Sequence, residues 1–318
     1  MKKFTAIDLF CGCGGVSCGF IRAGIEVIAG IDIWNVAIDS YKSNFNHAAI
    51  CADLKLLSPE EFAKRYINKE IDIITASPPC QGFSISGKRN EEDDRNFLFY
   101  EYFKYIDYFN PKLIMMENVI GILSMKNNKG EKIIDLMMFH LEKKYNCILC
   151  KLYASDFEVP QNRRRVILFG IRKDLNKMPI EPHKILKINE RIPVRKILLL
   201  ENEVDNKYYL SQRAINGIKH KKEKSLKSGK GFGAQFLKLD SPSYTIPARY
   251  WKDGYDALVK YDENKIRRLT ILELKRIQTF DDNFILSGSN KDKIIQIGNA
   301  VPCRFAYHLG KHIINMLR

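Results

Sequence analysis

Short apolar runs alternate with amphipathic segments through the first half of the chain, at 4–9, 27–31, 49–52, 71–76, 113–116, 147–153 and 166–171. Runs this short, separated by stretches of helical length, are what a parallel sheet wound with helices produces. Helices are expected at 15–23, 36–44, 97–108 and 131–145. Another opens at Ser58-Pro59-Glu60-Glu61, with serine as N-cap, proline at the first helical position and glutamate at the third. Beyond about residue 173 the alternation fades, and the stretch to about 264 is rich in Lys, Gly, Ser and Tyr. It reads as a different, smaller domain. Regular pattern returns at 269–280, where Thr270 is a candidate N-cap with Glu273 three residues on, and the chain closes on a helix over 305–317.

The predicted strand ends carry the chemistry. The first runs into Asp8-Leu9-Phe10-Cys11-Gly12-Cys13-Gly14-Gly15, a glycine-rich turn feeding a helix, where backbone can pass close to a ligand at a positive dipole end. The second ends at Asp32, at the distance that suits a hydrogen bond to a ribose, and the third at Asp53, placed to accept from an adenine amino group. Either acid alone is equally a turn former or helix cap. In series behind a glycine turn they indicate a nucleoside-type cofactor. Gly12-Cys13-Gly14-Gly15 lacks the third glycine of a dinucleotide site, and no Gly-Lys-Ser or Gly-Lys-Thr follows. An adenosine cofactor without pyrophosphate fits, and S-adenosyl-L-methionine leads the candidates.

The fourth strand delivers Ser77-Pro78-Pro79-Cys80-Gln81-Gly82-Phe83-Ser84. Two prolines can neither continue a ladder nor turn at once into a helix, so Cys80 is expected at a strand's carboxyl end, where open α/β sheets take their ligands. A cysteine there suits a nucleophile better than a core filler. The fifth strand delivers Glu117 in Met115-Met116-Glu117-Asn118-Val119, so a thiol, a carboxyl and a cofactor meet at one sheet edge.

Composition narrows the class. The formal net charge of +15 and pI near 9.3 suggest a polyanionic partner, and six lysines between Lys219 and Lys230 face the single acid Glu223. The eight cysteines are scattered through a long chain and do not read as an extracellular disulfide framework. Cys147-Ile148-Leu149-Cys150 has no second ligand pair, so no metal site is expected. Asp8 interrupts the first apolar stretch and no later run could cross a membrane, so a cytoplasmic protein is expected.

These motifs resemble those of the DNA (cytosine-5) methyltransferases, the modification enzymes of bacterial restriction-modification systems. The resemblance runs through nearly the whole length: Asp8-Leu9-Phe10 with Gly12, Gly14 and Gly15; Pro78-Pro79-Cys80-Gln81; Glu117-Asn118-Val119; Gln161-Asn162-Arg163-Arg164-Arg165; Arg268-Leu269-Thr270 with Glu273, Arg276 and Gln278; and Gln296-Ile297-Gly298-Asn299-Ala300-Val301-Pro302.

It implies a Rossmann-like methyltransferase sheet with helices on both faces, over 1–174 and completed by 291–318. A target-recognition domain would span 175–290, including the 268–280 motif. It implies Cys80 as the thiolate that adds to cytosine carbon 6, Glu117 as the group contacting the ring, and Arg163 and Arg165 as residues orienting base and catalytic loop, with Gln161 structural. Cofactor contacts carry over to Phe10, Gly12, Gly14, Asp32, Asp53, Pro79, Leu98, Asn299 and Val301. One departure stands out. Where the family often has an aromatic after the ribose-binding acid, this chain has Ile33, with Trp34 one place later. Ser84, Ser86 and Arg95 correspond to a loop closing over a base extruded from the duplex. Thr245, in Ser243-Tyr244-Thr245-Ile246-Pro247-Ala248-Arg249-Tyr250, corresponds to a backbone contact near the target. Base-edge readers are expected around 231–251, with Arg249 a guanine-contact candidate. The partner implied is double-stranded DNA, treated by a monomer, with a separate restriction endonuclease as counterpart.

Three other readings compete: an RNA methyltransferase of the same fold, a non-catalytic DNA-binding regulator, and a dinucleotide oxidoreductase. The long recognition region favours DNA over RNA. The full set Cys80, Glu117, Arg163 and Arg165 argues against a silent binder, and the glycine spacing against a dinucleotide.

Overall fold

The computed structural model describes residues 3–79, 98–127, 129–228 and 234–318, without the side chains of 221–228. The apolar runs form a seven-stranded sheet of β1 (Thr5–Leu9), β2 (Glu26–Asp32), β3 (Ala48–Cys51), β4 (Ile73–Ala76), β5 (Leu113–Val119), β6 (Tyr145–Tyr153) and β7 (Arg164–Arg172), in the order β3-β2-β1-β4-β5-β7-β6. From β3 to β5 all pairings are parallel.

The alternation predicts a parallel sheet, but the observed sheet is mixed. β7 runs antiparallel to both β5 and β6. The reason is the short link at 154–163, which holds only a 3₁₀ turn, Ala154–Phe157; a parallel crossover needs a dozen or more residues. The reversal matters for the site. It brings the beginning of β7, with its arginines, to the edge where β1, β2, β4 and β5 end.

Helices cover both faces. On one, Phe62 of α3 (Pro59–Tyr66), Tyr102 and Tyr105 of α4 (Leu98–Phe109) and Met137 of α5 (Ile133–Leu141) pack on Ile7, Leu9, Ile74 and Met116. On the other, Val16 and Phe20 of α1 (Gly15–Ala23) and Phe305 and Leu309 of α9 (Cys303–Leu317) pack on Ala6, Val27, Met115 and Ile167. Between β2 and β3 lies α2 (Asn35–Asn44). The cap at Ser58 forms as predicted, its hydroxyl accepting from the Glu61 N–H. Boundaries shift at three places. β5 runs on to Val119, so Glu117 lies inside the strand; α5 ends at Leu141, leaving Tyr145 to open β6; and β3 stops at Cys51, two residues short of Asp53.

The lysine-rich stretch folds into a succession of 3₁₀ turns, then α6 (Gln212–Ser228), the two-stranded β8 (Leu258–Lys260) and β9 (Ile266–Arg268), and α7 (Ile271–Ile277). Thr270 caps α7 in a reciprocal box with Glu273. Glu273, fully buried, also takes two bonds from the fully buried Arg267, at 2.8 and 2.9 Å, and one from the Leu199 N–H at 3.0 Å. This region joins the sheet through Gln161–Asn162, whose backbone pairs with Ser243, and through α8 (Asn290–Asn299), which packs on the turn Ala248–Trp251. Among the described residues, no helix is long and apolar enough to cross a membrane.

Candidate active site

The glycine-rich turn bends because three residues adopt left-handed backbone, Phe10 at φ 56°, Gly12 at φ 54° and Gly14 at φ 97°. The N–H of Gly12 then donates to Asp32 Oδ2 at 2.8 Å, tying the end of β1 to the end of β2. A side chain on Gly12 would meet nothing within 4 Å among the described residues, which leave the space before this turn open. Gly15 is glycine for the opposite reason: a Cβ there would stand 2.2 Å from the Val301 carbonyl oxygen. Gly14 caps α1, its N–H bonded to Cys11 O at 2.9 Å.

Asp32 Oδ1 accepts from the Trp34 N–H at 2.8 Å. Burial raises the Asp32 carboxyl above its ordinary value, while the N–H groups of Trp34, Gly12 and Ile33 pull it back. Ile33, next to it in the chain, stands 67% exposed, whereas Trp34 is half-buried. Asp53 forms a turn, Oδ1 accepting from the Lys55 N–H at 2.9 Å and its carbonyl from Leu56 and Leu57. It is half-buried, as is Leu98 at the start of α4; Pro79 and Asn299 are exposed, and Val301 is buried under α1.

These residues fit an adenosyl ligand. A cradle without a side chain at Gly12, a largely desolvated carboxylate at the end of β2 and an exposed aliphatic side chain at Ile33 are a backbone seat, a hydroxyl acceptor and an apolar contact of the kind such a ligand needs.

On the other side of β4, Arg165 Nε donates to Glu117 Oε1 at 2.7 Å, both side chains about one-tenth exposed. Asn118 Nδ2 donates to Pro78 O at 3.4 Å, binding the exit of β4 to β5, a role that Glu117-Asn118-Val119 as a sequence does not announce. Arg163 bonds the carbonyls of Gly298 at 3.0 Å and Asn299 at 3.4 Å rather than Glu117. Burial, with the Arg165 charge adding, lowers its guanidinium below the ordinary value, against an opposing pull from Glu117. Gln161 is fully buried, its Nε2 on Gln278 Oε1 at 3.0 Å and its Oε1 accepting from the Ile246 N–H at 3.0 Å. Gln278 in turn donates to Ile297 O and Ala300 O, so one pair of glutamines latches β7, the Ile246 segment and the loop after α8.

Thr245 Oγ1 donates to Asn162 O at 3.2 Å, and the exposed Arg249 pairs with Asp256 at 2.8 Å. Arg164 is exposed and lies over the Tyr153 ring. Cys80, Ser84, Ser86 and Arg95 lie outside the described residues, as do residues 229–233 and the lysine side chains beyond His220 in the basic run. Cys147 and Cys150 sit in β6, where burial pushes both thiols up to about 12.

The same arrangement of sheet and smaller domain occurs in solved structures. The Entamoeba histolytica methyltransferase EhMeth matches with a TM-score of 0.77 at 19% identity, covering all of both chains. The S. pombe Dnmt2 methyltransferase matches with a TM-score of 0.74 at 20% identity, over 98% of this chain and 99% of that one. Fold and site together define a Rossmann-like, S-adenosylmethionine-dependent type of methyltransferase. The profile of the C-5 cytosine-specific DNA methylases matches residues 4–315, and the chain belongs to that family. Among curated relatives, Type II methyltransferase M1.HphI of Haemophilus parahaemolyticus is 31% identical over 99% of this chain and 87% of its own length. M.DsaV of Dactylococcopsis salina is 32% identical over 95% of this chain and 83% of its own.

Proposed function

We propose that this protein methylates carbon 5 of a cytosine flipped out of duplex DNA, at one short recurring sequence, through a covalent adduct with Cys80. The observation that supports it most is the meeting, at one sheet edge, of the Gly12–Asp32 seat and the Glu117–Arg165 pair, with Asn118 holding the Pro78 exit toward Cys80 between them.

Carbon 5 of cytosine is a poor nucleophile, and the residues overcome this in steps. The Cys80 thiolate adds to carbon 6, and Glu117, steadied by Arg165, contacts ring nitrogen 3 and the exocyclic amine, where charge develops. Carbon 5 thereby becomes electron-rich. Phe10, Gly12, Gly14, Asp32, Ile33, Asp53, Pro79, Leu98, Asn299 and Val301 would hold S-adenosyl-L-methionine, whose sulfonium would supply an activated methyl group to carbon 5, with the thioether S-adenosylhomocysteine as leaving group. Loss of the carbon 5 proton to a base, with expulsion of the Cys80 thiolate, restores the aromatic ring.

The base is reached by extrusion, at a cost of about a few kcal/mol of stacking, with Ser84, Ser86 and Arg95 closing from the loop after Cys80. Thr245, Arg249 and the lysines of the 219–230 run meet the DNA from the 175–290 domain, while 1–174 and 291–318 form the catalytic unit. In this reading a monomer works in the bacterial cytoplasm, on nucleoid DNA, and protects it from a separate restriction endonuclease.

Bisulfite sequencing of DNA from a methylation-deficient host expressing the chain tests this directly. Cytosines protected in one short sequence, and unprotected when Cys80→Ala is expressed to the same level, are expected. Unprotected DNA from well-expressed wild-type protein would count against the reading.

A further inference from the structure

Behind the glycine turn lies a line of buried hydroxyls that the reaction does not use. Ser17 Oγ, in the first turn of α1, donates to Asp8 Oδ2 at 2.6 Å. The same oxygen lies 2.7 Å from Tyr41 Oη on α2, and Tyr41 Oη lies 2.6 Å from His47 Nε2, in the link from α2 to β3. Asp8, Ser17 and Tyr41 are at most 1% exposed; only His47, at the end of the line, reaches solvent.

The seat of Tyr41 is built by two glycines. A Cβ on Gly14, the cap of α1, would fall 2.3 Å from the ring of Phe45, which packs on Tyr41, and 3.0 Å from the Tyr41 ring itself, and one on Gly30 of β2 would fall 2.4 Å from the Tyr41 ring. Tyr41 therefore packs directly against the turn that faces the open space. Strand register adds a further polar group, since Asp8 is paired with Gly30 on one side and Thr75 on the other. Asp8 Oδ1 and Thr75 Oγ1, neighbours on one face of the sheet, are both buried without a hydrogen-bond partner among the described residues.

Donor counting gives the line a direction. With Asp8 ionised, Ser17 spends its one proton on the carboxylate, so Tyr41 must donate to Ser17 and His47 Nε2–H to Tyr41. If Asp8 takes the proton, every bond can reverse. Burial pushes the His47 imidazole down to about 4, so His47 is neutral at neutral pH and either nitrogen can carry its proton.

We propose that Ser17, Tyr41 and His47 are positioning residues that act as one hydrogen-bonded unit to hold the glycine turn in the shape that receives the adenosyl ligand. This inference rests on the cofactor reading above. Because the unit acts from beneath the turn, its loss weakens cofactor binding and leaves the chemical step intact once the site is filled.

Among the described residues Ser17 and His47 are joined by hydrogen bonds through Tyr41, which permits a test by calorimetric titration of S-adenosylhomocysteine into wild type, Ser17→Ala, His47→Leu, the double variant, Tyr41→Phe and His47→Gln. Each of the first two, and Tyr41→Phe, should weaken binding about fivefold, the effect of one hydrogen bond. The double variant should lose about the same, rather than the ~25-fold product expected of independent sites. His47→Gln, which keeps a donor, should bind as wild type. In steady-state kinetics Tyr41→Phe should raise the KM for S-adenosylmethionine with kcat unchanged. Multiplying single effects, or singles with wild-type affinity, would overturn the proposal alone; failure of the wild type to bind would overturn the cofactor reading and the proposal with it. If Ser17→Ala does not fold, the cycle runs between Tyr41→Phe and His47→Leu, judged by the same rule.

Discussion

Arg165 and Glu117 are diagonal neighbours across two antiparallel strands: Glu117 lies opposite Ile167 and Arg165 opposite Val119, so both side chains share one face and meet at 2.7 Å. Diagonal pairs of this kind are in reach only of long side chains. Arg165→Lys keeps the charge but not the planar Nε donor, so methyl transfer at saturating cofactor should fall about 10- to 100-fold while S-adenosylhomocysteine binding holds. Glu117→Gln should cost more, about 10²- to 10³-fold in kcat, the scale for losing one stabiliser of developing charge. Single-turnover methylation of a duplex substrate measures both.

The glutamine latch should weigh on stability. Gln161→Ala strands the buried Ile246 N–H and one partner of Gln278. Leaving such groups unpaired costs about 1–3 kcal/mol each, so urea unfolding should show a lower midpoint with an unchanged slope.

Asp8 gives a pH signature. Burial outweighs the Ser17 hydrogen bond and pushes its carboxyl up to about 7, with Asp32 adding in the same direction. The folded state thus binds this proton more tightly than the unfolded chain, and stability falls as pH rises from near 4 through 7. The full effect is on the order of 4 kcal/mol. Asp8→Asn removes it, so its melting temperature should exceed that of wild type at pH 8 and lose that advantage at pH 5.

Gly15→Ala tests how the two ends of the catalytic unit meet. The added methyl would collide with the backbone carbonyl of Val301, which cannot swing aside as a side chain can. The variant should melt several degrees lower, and its affinity for S-adenosylhomocysteine should drop with it. Gly12→Ala has room but an unfavourable φ, so it should melt closer to wild type.

Local chemistry was the legible part. The short apolar runs and the amphipathic segments between them placed the strands and the first helix, and the caps at Ser58 and Thr270 formed as their spacing implied. Direction was not legible from apolarity: Val166 to Ile171 reads the same in either sense, and only the shortness of the 154–163 link carries the reversal of β7. The turn at Asp53 hid for a related reason, since an aspartate two residues past a strand looks like its end. Partnerships across long separations, such as Gln161 with Gln278 or Arg267 with Glu273 and Leu199, leave no periodic trace. Neither does the 175–210 stretch, whose 3₁₀ turns repeat no pattern.

The fit of Val301 against Gly15 has a consequence for how the molecule comes into being. All seven strands of the large sheet are present by residue 172, yet the helix on which α1 rests begins only at Cys303. A chain emerging from the ribosome therefore holds Val16 and Phe20 without cover until the whole smaller domain has been made. Contacts this distant in sequence close slowly and leave apolar surface exposed meanwhile. A fragment ending before α8 should accordingly collapse and associate with itself, and the open space before the glycine turn should be among the last features of the fold to mature.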